Sequence, residues 1–287
     1  MLMGMDARRS RAASRGQKRI PRWISTHPRL SRAIFAISTI LILFGILGVA
    51  RVTGSIDPRL WNLLELPLVE GTKNTLTFTL TIIPLGLLMG FAVGWARFSR
   101  HPYLSWPATM YVDFIRGVPP LIMVMFAFFW LPTLFRGETF QLGLTFAVFA
   151  LAVHTSAYQA EIFRAGFQSI SRGQIEAGQA MGLTYLQIMR NIILPQTFRV
   201  TLPALGNEFA LIIKDSSLLA AVGAAELVYW GRNSAQFALT NYGIIEWVMI
   251  TWIIIALMYF VITYLVTQTV AAVEHSFRVP GLGSVAF

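Results

Sequence analysis

The stretch that decides the fold runs from residue 247 to residue 273 and reads WVMITWIIIALMYFVITYLVTQTVAAV. These 27 residues carry no charge, and a helix needs about 20 mostly apolar residues to cross a bilayer core. Four further uncharged stretches lie upstream, at 33–50, 74–96, 117–135 and 139–160. A sixth stretch, 198–223, is long enough but is interrupted by Glu208, Lys214 and Asp215. The sequence therefore predicts an all-α, polytopic membrane helix bundle with six transmembrane helices.

The composition of the 287-residue chain agrees with this prediction. Hydrophobic residues make up 55% of it and charged residues 13%, about half the charged share of an ordinary soluble domain. This composition disfavours both a soluble domain and a disordered chain. The chain has no Cys and only four scattered His, so disulfides, thiolate metal sites and Cys nucleophiles are excluded.

The positive charges predict the orientation of the helices. Nine Arg or Lys and one acid, Asp6, occupy the first 32 residues, and such an excess marks the cytoplasmic side. Six spans then return the C-terminus to the cytoplasm. We expect a basic tail at 1–32, an extra helix and outside loop at 33–70, a transmembrane domain at 71–275 and a C-terminal tail at 276–287. Turns are expected at Asp57-Pro58 and Leu66-Pro67.

The basic tail has three interpretations. Nucleic-acid binding is disfavoured because the tail has no heptads, no zinc ligands and one aromatic residue, Trp23. A cleaved signal peptide is disfavoured because the tail is long and no clean cleavage site follows the helix. We favour an uncleaved signal anchor whose tail touches anionic lipid.

The longest inside segment, about 162–198, predicts two short helices joined by a glycine. Ser171 can cap a helix over 173–181, and Gly182 suits the position after it, where positive φ is needed. Thr184 can cap a second helix over 185–193, which Pro195 is expected to end. The resulting surface is apolar and weakly charged, so it indicates a protein partner.

Ionisable residues inside a predicted span mark a pathway or a structural pair. Glu208 and Asp215 are seven residues apart, which places them on one helix face about 10 Å apart. With Lys214, Ser216 and Ser217 they form a candidate substrate-binding face, the alternative being a packing role. Two further candidate groups, expected to pair for gating or packing, are Asp113 with Arg116 and Glu161 with Arg164.

Glu176-Ala177-Gly178, followed after three residues by Gly182 and after nine more by IILP at 192–195, resembles the EAA loop of ABC importer permeases. Gly178 stands where the family has a second Ala. YQAEIFRAGF at 158–167, FIRGVPPL at 114–121 and IKDSSL at 213–218 resemble motifs of polar amino-acid permeases. The resemblance covers about 71–268 and implies a five-helix core, to which one N-terminal helix is added.

This resemblance implies an importer in the cell inner membrane. It would contain a second permease subunit, two ATP-binding subunits and an extracytoplasmic binding protein that delivers a polar amino acid. ATP and Mg would bind the partner subunits, and this chain, which has no phosphate-binding loop, would not be an enzyme. The resemblance assigns coupling to the ATPase to Glu176, Ala177, Gly178 and Gly182.

Three alternatives remain open from the sequence. The solute could be another small polar molecule, although Glu208 favours a basic or zwitterionic amino acid over an acidic one. Lys214 beside Ser216 and Ser217 permits an intramembrane Ser–Lys hydrolase. A secondary transporter is disfavoured because no paired interrupted helices recur in two halves.

Overall fold

The structure is a computed structural model that describes residues 57–135 and 139–276. Every regular element in these two ranges is helical, which confirms the all-α class. The predicted helix at 33–50, the basic tail and the C-terminal tail beyond residue 276 lie outside the described residues.

The first described helices form one continuous rod where a loop with two turns was expected. Helix α1 covers Pro58–Leu66, a π turn covers Pro67–Gly71, and helix α2 covers Thr72–Phe98. Pro58 occupies the first helical position, where its missing N–H costs nothing. Pro67 falls at the π turn, whose wider hydrogen-bond spacing accommodates a residue without an N–H. The turn expected at Leu66-Pro67 is therefore wrong.

The next helix is broken, as the pair Pro119-Pro120 predicts. Helix α3 covers Pro102–Gly117 and helix α4 covers Pro120–Leu134, and the two are bent by 98°. Proline at position 119 disfavours helical geometry in the residue before it, and Val118 is extended.

Helix α5, Phe140–Gln168, is the central element of the described bundle. It lies against the glycine side of α2, where Gly86, Gly90 and Gly94 are all buried. A Cβ added to Gly90 would lie 2.6 Å from the Gln159 Cβ, and one added to Gly94 would lie 2.8 Å from the Ala160 oxygen. The Gly-x-x-x-Gly spacing thus marks a close helix contact.

The segment after α5 contains helices α6, Arg172–Ala180, and α7, Tyr185–Ile188. A π turn over Met189–Ile193 connects α7 to helix α8, Leu194–Asp215. The expectation that Pro195 ends the second helix is wrong. Pro195 lies in the first turn of α8, directly after the π turn, where its missing N–H is tolerated.

The rest of the described chain closes the bundle. A 3-10 helix over Ser216–Val222 ends at Gly223, which has φ +83°. Helix α9 covers Leu227–Phe237, a π turn covers Ala238–Tyr242, and helix α10 covers Ile245–Ser276.

Three helices of the described chain are long and apolar enough to cross a membrane: Pro58–Phe98, Phe140–Gln168 and Ile245–Glu274. The bent pair of α3 and α4 raises this number to four. The charged helix α8 does not meet the same criterion within the described residues. The exact count of six therefore stays a prediction.

Candidate functional site

The two short helices α6 and α7 form the elbow that the sequence predicts. Gly182 adopts φ +76°, and its N–H donates to the Gln179 carbonyl at 2.9 Å. Leu183 N–H donates to the Gly178 carbonyl at 3.1 Å, which completes a glycine-dependent helix end. Thr184 caps α7 in a reciprocal capping box with Gln187. Ser171 stands at the cap position of α6, but its side chain makes no cap hydrogen bond.

The elbow presents apolar side chains at its tip. Met181, Tyr185 and Leu186 are 72%, 62% and 69% exposed. Glu176 and Ala177 on α6 are exposed as well. Large apolar side chains gathered at one exposed tip are typical of a surface that a protein partner covers.

Gly178 lies on the other side of α6 and is buried. A Cβ added there would lie 3.0 Å from Ile192 Cδ1 and 3.1 Å from Ile188 Cγ1. Of the four residues predicted to couple to an ATPase, Gly178 therefore packs inside the elbow and Gly182 shapes its turn. Only Glu176 and Ala177 offer side chains to a partner.

The polar face of α8 meets polar residues of α5 that the sequence analysis missed. Thr155 Oγ1 donates to Glu208 Oε1 at 2.8 Å, and Gln159 Nε2 donates to Thr155 Oγ1 at 3.2 Å. Thr155 and Gln159 are one helical turn apart, and that spacing on one face was the available signal. Glu208 is thus held by a chain of side-chain hydrogen bonds.

A small hollow, with room for about one water molecule, opens beside this network. Its lining combines apolar residues with polar ones: Ile82, Leu151, His154, Thr155, Ile212 and Asp215. His154 Nδ1 and Gln159 Oε1 are buried and have no hydrogen-bond partner in the described chain. Buried polar atoms are normally paired, so these two atoms are available to a water molecule or a solute.

The structure brings together only part of the predicted substrate-binding face. Glu208 and Asp215 are half-buried on the side of α5, whereas Lys214 is exposed. Ser216 is fully buried and its Oγ donates to the Ile213 carbonyl at 2.7 Å; Ser217 is half-buried. A Ser–Lys dyad needs the amine at the hydroxyl, and an exposed Lys214 beside an already bonded Ser216 does not provide one.

A second charged cluster surrounds Glu161 near the end of α5. The predicted pair with Arg164 is confirmed, with Arg164 Nε donating to Glu161 Oε2 at 3.2 Å. Arg97 from α2 pairs with the same carboxylate and also donates to Thr109 of α3 at 3.3 Å. Glu161 therefore ties three helices together, where the sequence predicted a pair within one helix.

The expected pair of Asp113 and Arg116 is not formed in the described structure, and both side chains are exposed. The Arg116 guanidinium instead lies over the Tyr158 ring, 5.2 Å from its centroid. An aromatic face attracts a guanidinium, and this contact connects α3 to α5.

Similarity to known proteins identifies the family. Residues 82–279 match the family described as "Binding-protein-dependent transport system inner membrane component". The chain belongs to this family. The family description agrees with the apolar helices, so the chain is an inner-membrane component. Family members work within ABC transporter complexes, which contain permease and ATPase subunits.

Relatives in this family are named as amino-acid permeases. The probable glutamine ABC transporter permease protein GlnM of Bacillus subtilis is 39% identical over 162 residues, 56% of this chain and 73% of that protein. The arginine transport system permease protein ArtQ of the same organism is 30% identical over 211 residues, 74% of this chain and 92% of that protein. The crystal structure of an amino acid ABC transporter with histidines is 31% identical, with a TM-score of 0.62, covering 73% of this chain and 94% of that one.

Proposed function

We propose that this chain is the permease subunit of an ATP-driven, binding-protein-dependent ABC importer for a polar amino acid. The exposed apolar tip of the elbow, made by Met181, Tyr185 and Leu186, is the observation that carries the proposal. It is an interaction surface, positioned by Gly182 and Thr184 in the motif that resembles the EAA loop. The permease relatives of this family support the same function.

The proposed complex contains a second permease subunit, two ATP-binding subunits and an extracytoplasmic binding protein. The ATP-binding subunits hold ATP and Mg and hydrolyse the nucleotide, so this chain is a transport subunit and not an enzyme. The elbow docks on one of them, with Glu176 and Ala177 at the contact.

The way in which α6 and α8 are joined supports a coupling path from the elbow to the hollow. Gln196 Nε2 of α8 donates to Gln174 Oε1 of α6 at 2.6 Å. Helix α8 also follows α7 through the π turn without a flexible linker. A movement of the elbow, driven by ATP-dependent closure of the partner subunits, therefore moves the helix that carries Glu208 and Asp215.

We place the substrate at the hollow beside α5 and α8. Asp215 lines the hollow and offers a carboxylate to an ammonium group, and His154 Nδ1, also in the lining, adds hydrogen-bonding capacity. Glu208 supplies a second carboxylate next to the lining, where it accepts from Thr155. Two carboxylates on one face favour a basic or zwitterionic amino acid over an acidic one, because like charges repel. The hollow has room for only about one water molecule in this structure, so α5 and α8 must move apart before an ammonium group can reach it.

In the membrane we propose six spans, with the helix at 33–50 added to a five-helix core and both termini in the cytoplasm. The nine basic residues of the first 32 support this orientation and a contact of the tail with anionic lipid.

The test is reconstitution of the purified complex in proteoliposomes, with uptake of labelled amino acid measured together with ATP hydrolysis. Glu176→Lys is expected to insert normally but to lose ATPase subunits or uncouple hydrolysis. Glu65→Lys, a charge reversal at an exposed site on α1, is the matched control. Full uptake and subunit retention in the Glu176 variant would refute the docking assignment.

The same assay tests the hollow with Glu208→Gln. Loss of one charge-assisted hydrogen bond corresponds to about 1.5–3 kcal/mol, or roughly 10–150-fold in affinity. Glu65→Gln is the control for this change. Wild-type affinity and rate in both Glu208→Gln and Asp215→Asn would show that the solute binds elsewhere.

A further inference from the structure

The charged cluster around Glu161 continues to the last residue of α5. Arg164 contacts both oxygens of Glu161 through its Nε and Nη2 atoms. Its remaining nitrogen, Nη1, donates to Gln168 Oε1 at 2.7 Å. One guanidinium therefore joins Glu161 to Gln168, and its planar shape fixes the geometry of both contacts.

On the other side, the Glu161 carboxylate is held by Arg97 of α2. Arg97 Nη1 donates to Glu161 Oε2, while Arg97 Nε donates to Thr109 Oγ1 of α3 at 3.3 Å. The Arg97 side chain is only 12% exposed, and an ion pair that is shielded from water is screened less than a surface pair. We call the connected residues the Glu161 network: Gln168, Arg164, Glu161, Arg97 and Thr109.

One end of the Glu161 network lies at the elbow. Gln168 is the last residue of α5, and α6 begins at Arg172, so only three residues separate them. Ser169 in this connection is itself fixed, since its N–H donates to the Ala165 carbonyl at 3.0 Å and its Oγ donates to the Gly166 carbonyl at 2.7 Å. Such a short, hydrogen-bonded connection leaves α6 little freedom to move without the end of α5.

The other end of the Glu161 network lies on α3, which leads to the hollow through the bend. Helix α3 is also held on α5 by the Tyr111 hydroxyl, which lies 2.6 Å from Ser156 Oγ. Helix α4 follows after the 98° bend. Its Val124 is fully buried in the same apolar cluster as Ile82 and Ile212, which line the hollow. A displacement of α3 and α4 therefore reaches the apolar lining of the hollow.

We propose that the Glu161 network is a second coupling element, which passes the movement of the elbow to α3 and α4 while α8 passes it to Glu208 and Asp215. This inference rests on the proposed function and adds positioning residues that lie outside both the hollow and the tip of the elbow. If the network acts as one connection, breaking it at either end causes the same loss of coupling, which is a direct test of such a role.

The experiment measures uptake of tritiated arginine and tritiated glutamine, delivered by the binding protein, in proteoliposomes that contain the complete complex. The readout is the amount of amino acid taken up per ATP hydrolysed. Thr109→Val keeps the branched shape of the side chain but removes the acceptor for Arg97 Nε. It is expected to lower the ratio by roughly 2–30-fold, the range for residues that modulate coupling.

Thr81→Val is the matched control for this substitution. The hydroxyls of Thr109 and Thr81 each donate to a carbonyl four residues earlier in their own helix, at 2.8 and 2.9 Å. Both substitutions remove this local bond, but only Thr109→Val also breaks the contact with Arg97. The control is therefore expected to keep the wild-type ratio.

Conservative rescue and a double variant separate coupling from stability. Thr109→Ser keeps the hydroxyl, so its ratio is expected to stay within about twofold of wild type. Gln168→Met removes the acceptor for Arg164 at the other end while keeping a side chain of similar length, and it is expected to resemble Thr109→Val. The double variant Thr109→Val/Gln168→Met is expected to be no worse than the worse single variant, because both changes break one connection.

The outcomes keep this inference apart from the proposed function. If Thr109→Val and Gln168→Met keep the wild-type ratio while Glu176→Lys loses ATPase subunits or uncouples hydrolysis, the role of the Glu161 network is overturned and the proposed function stands. The same holds if the losses multiply in the double variant or simply follow a fall in melting temperature. A wild-type complex that takes up neither amino acid would overturn the proposed function and this inference together.

Discussion

Replacing Gly90 by alanine tests the contact between α2 and α5 on which the whole site is built. The added Cβ would lie 2.6 Å from the Gln159 Cβ and 2.9 Å from the Ser156 carbonyl oxygen. Carbon atoms in contact normally lie about 3.5–4.0 Å apart, so the two helices must separate by roughly 1 Å. Neither neighbouring atom can turn away, because one is backbone and the other is attached to it.

Two opposing effects determine how much the Gly90→Ala substitution lowers the free energy of unfolding. Overpacking of a core contact costs about 1–3 kcal/mol, whereas alanine is favoured over glycine inside a helix by about 1 kcal/mol. Since the neighbours of Gly90 are rigid, we expect the overpacking cost to lie at the upper end of its range, about 2–3 kcal/mol, which leaves a net loss of about 1–2 kcal/mol. The loss corresponds to a melting temperature lower by roughly 2–8 °C.

The assay is thermal unfolding of the purified full-length chain in detergent, and Gly173→Ala is the control. Gly173 lies in α6 with no atom within 4 Å of an added Cβ, so alanine there is expected to stabilise by about 0.5–1 kcal/mol. The two substitutions should therefore shift the melting temperature in opposite directions. A Gly90→Ala variant that melts at or above the Gly173→Ala variant would refute the close packing of α2 on α5.

Two further predictions concern the charged residues. Glu161→Gln leaves Arg97 and Arg164 without their shared carboxylate and is expected to cost about 1–3 kcal/mol of unfolding free energy, while Glu65→Gln at an exposed site leaves stability unchanged. A cysteine introduced at Ser14 is expected to react with an impermeant thiol reagent only after the cells are opened, and labelling in intact cells would contradict the six-span orientation.

Local sequence signals predicted the elbow well because its geometry is fixed by neighbouring residues. Gly182 adopts the positive φ expected of it, and Thr184 caps the following helix. Such caps depend on backbone groups within one turn, so tertiary contacts are not needed to find them. The pair of Glu161 and Arg164, three residues apart on one helix, was predictable for the same reason.

The expectation that a proline marks a turn or a helix end was wrong at the two positions where the helix contains a π turn. A loop turn was expected at Leu66-Pro67 and a helix end at Pro195, yet both prolines lie at or directly after a π turn inside a continuous helical path. Nothing in the local sequence distinguishes this solution from a true helix end. Packing against the neighbouring helices stabilises the bulge, and that packing is not visible in a single sequence.

The sequence also did not predict which side of each helix faces the interior of the bundle. Lys214 and Asp215 are adjacent, yet one is exposed and the other lines the hollow. Thr155, which donates to Glu208, comes from another helix and lies 53 positions earlier in the chain. The sequence of a helix shows which of its side chains share a face. It does not show which other helix that face packs against, because this depends on the whole fold.

Under the proposed function, helix α8 transmits the movement of the elbow to the hollow. It begins directly after the elbow and ends at Asp215, and its 22 residues span about 33 Å. Close contacts hold it on two sides, since a Cβ added to Gly166 of α5 would lie 2.3 Å from Thr201 Cγ2 and one added to Gly206 would lie 2.5 Å from Val270 Cγ1 of α10. Closely packed interfaces shift between discrete arrangements and do not deform continuously. A push at the elbow is therefore expected to tilt α8 as one body, which changes the position of Glu208 and Asp215 relative to the polar face of α5.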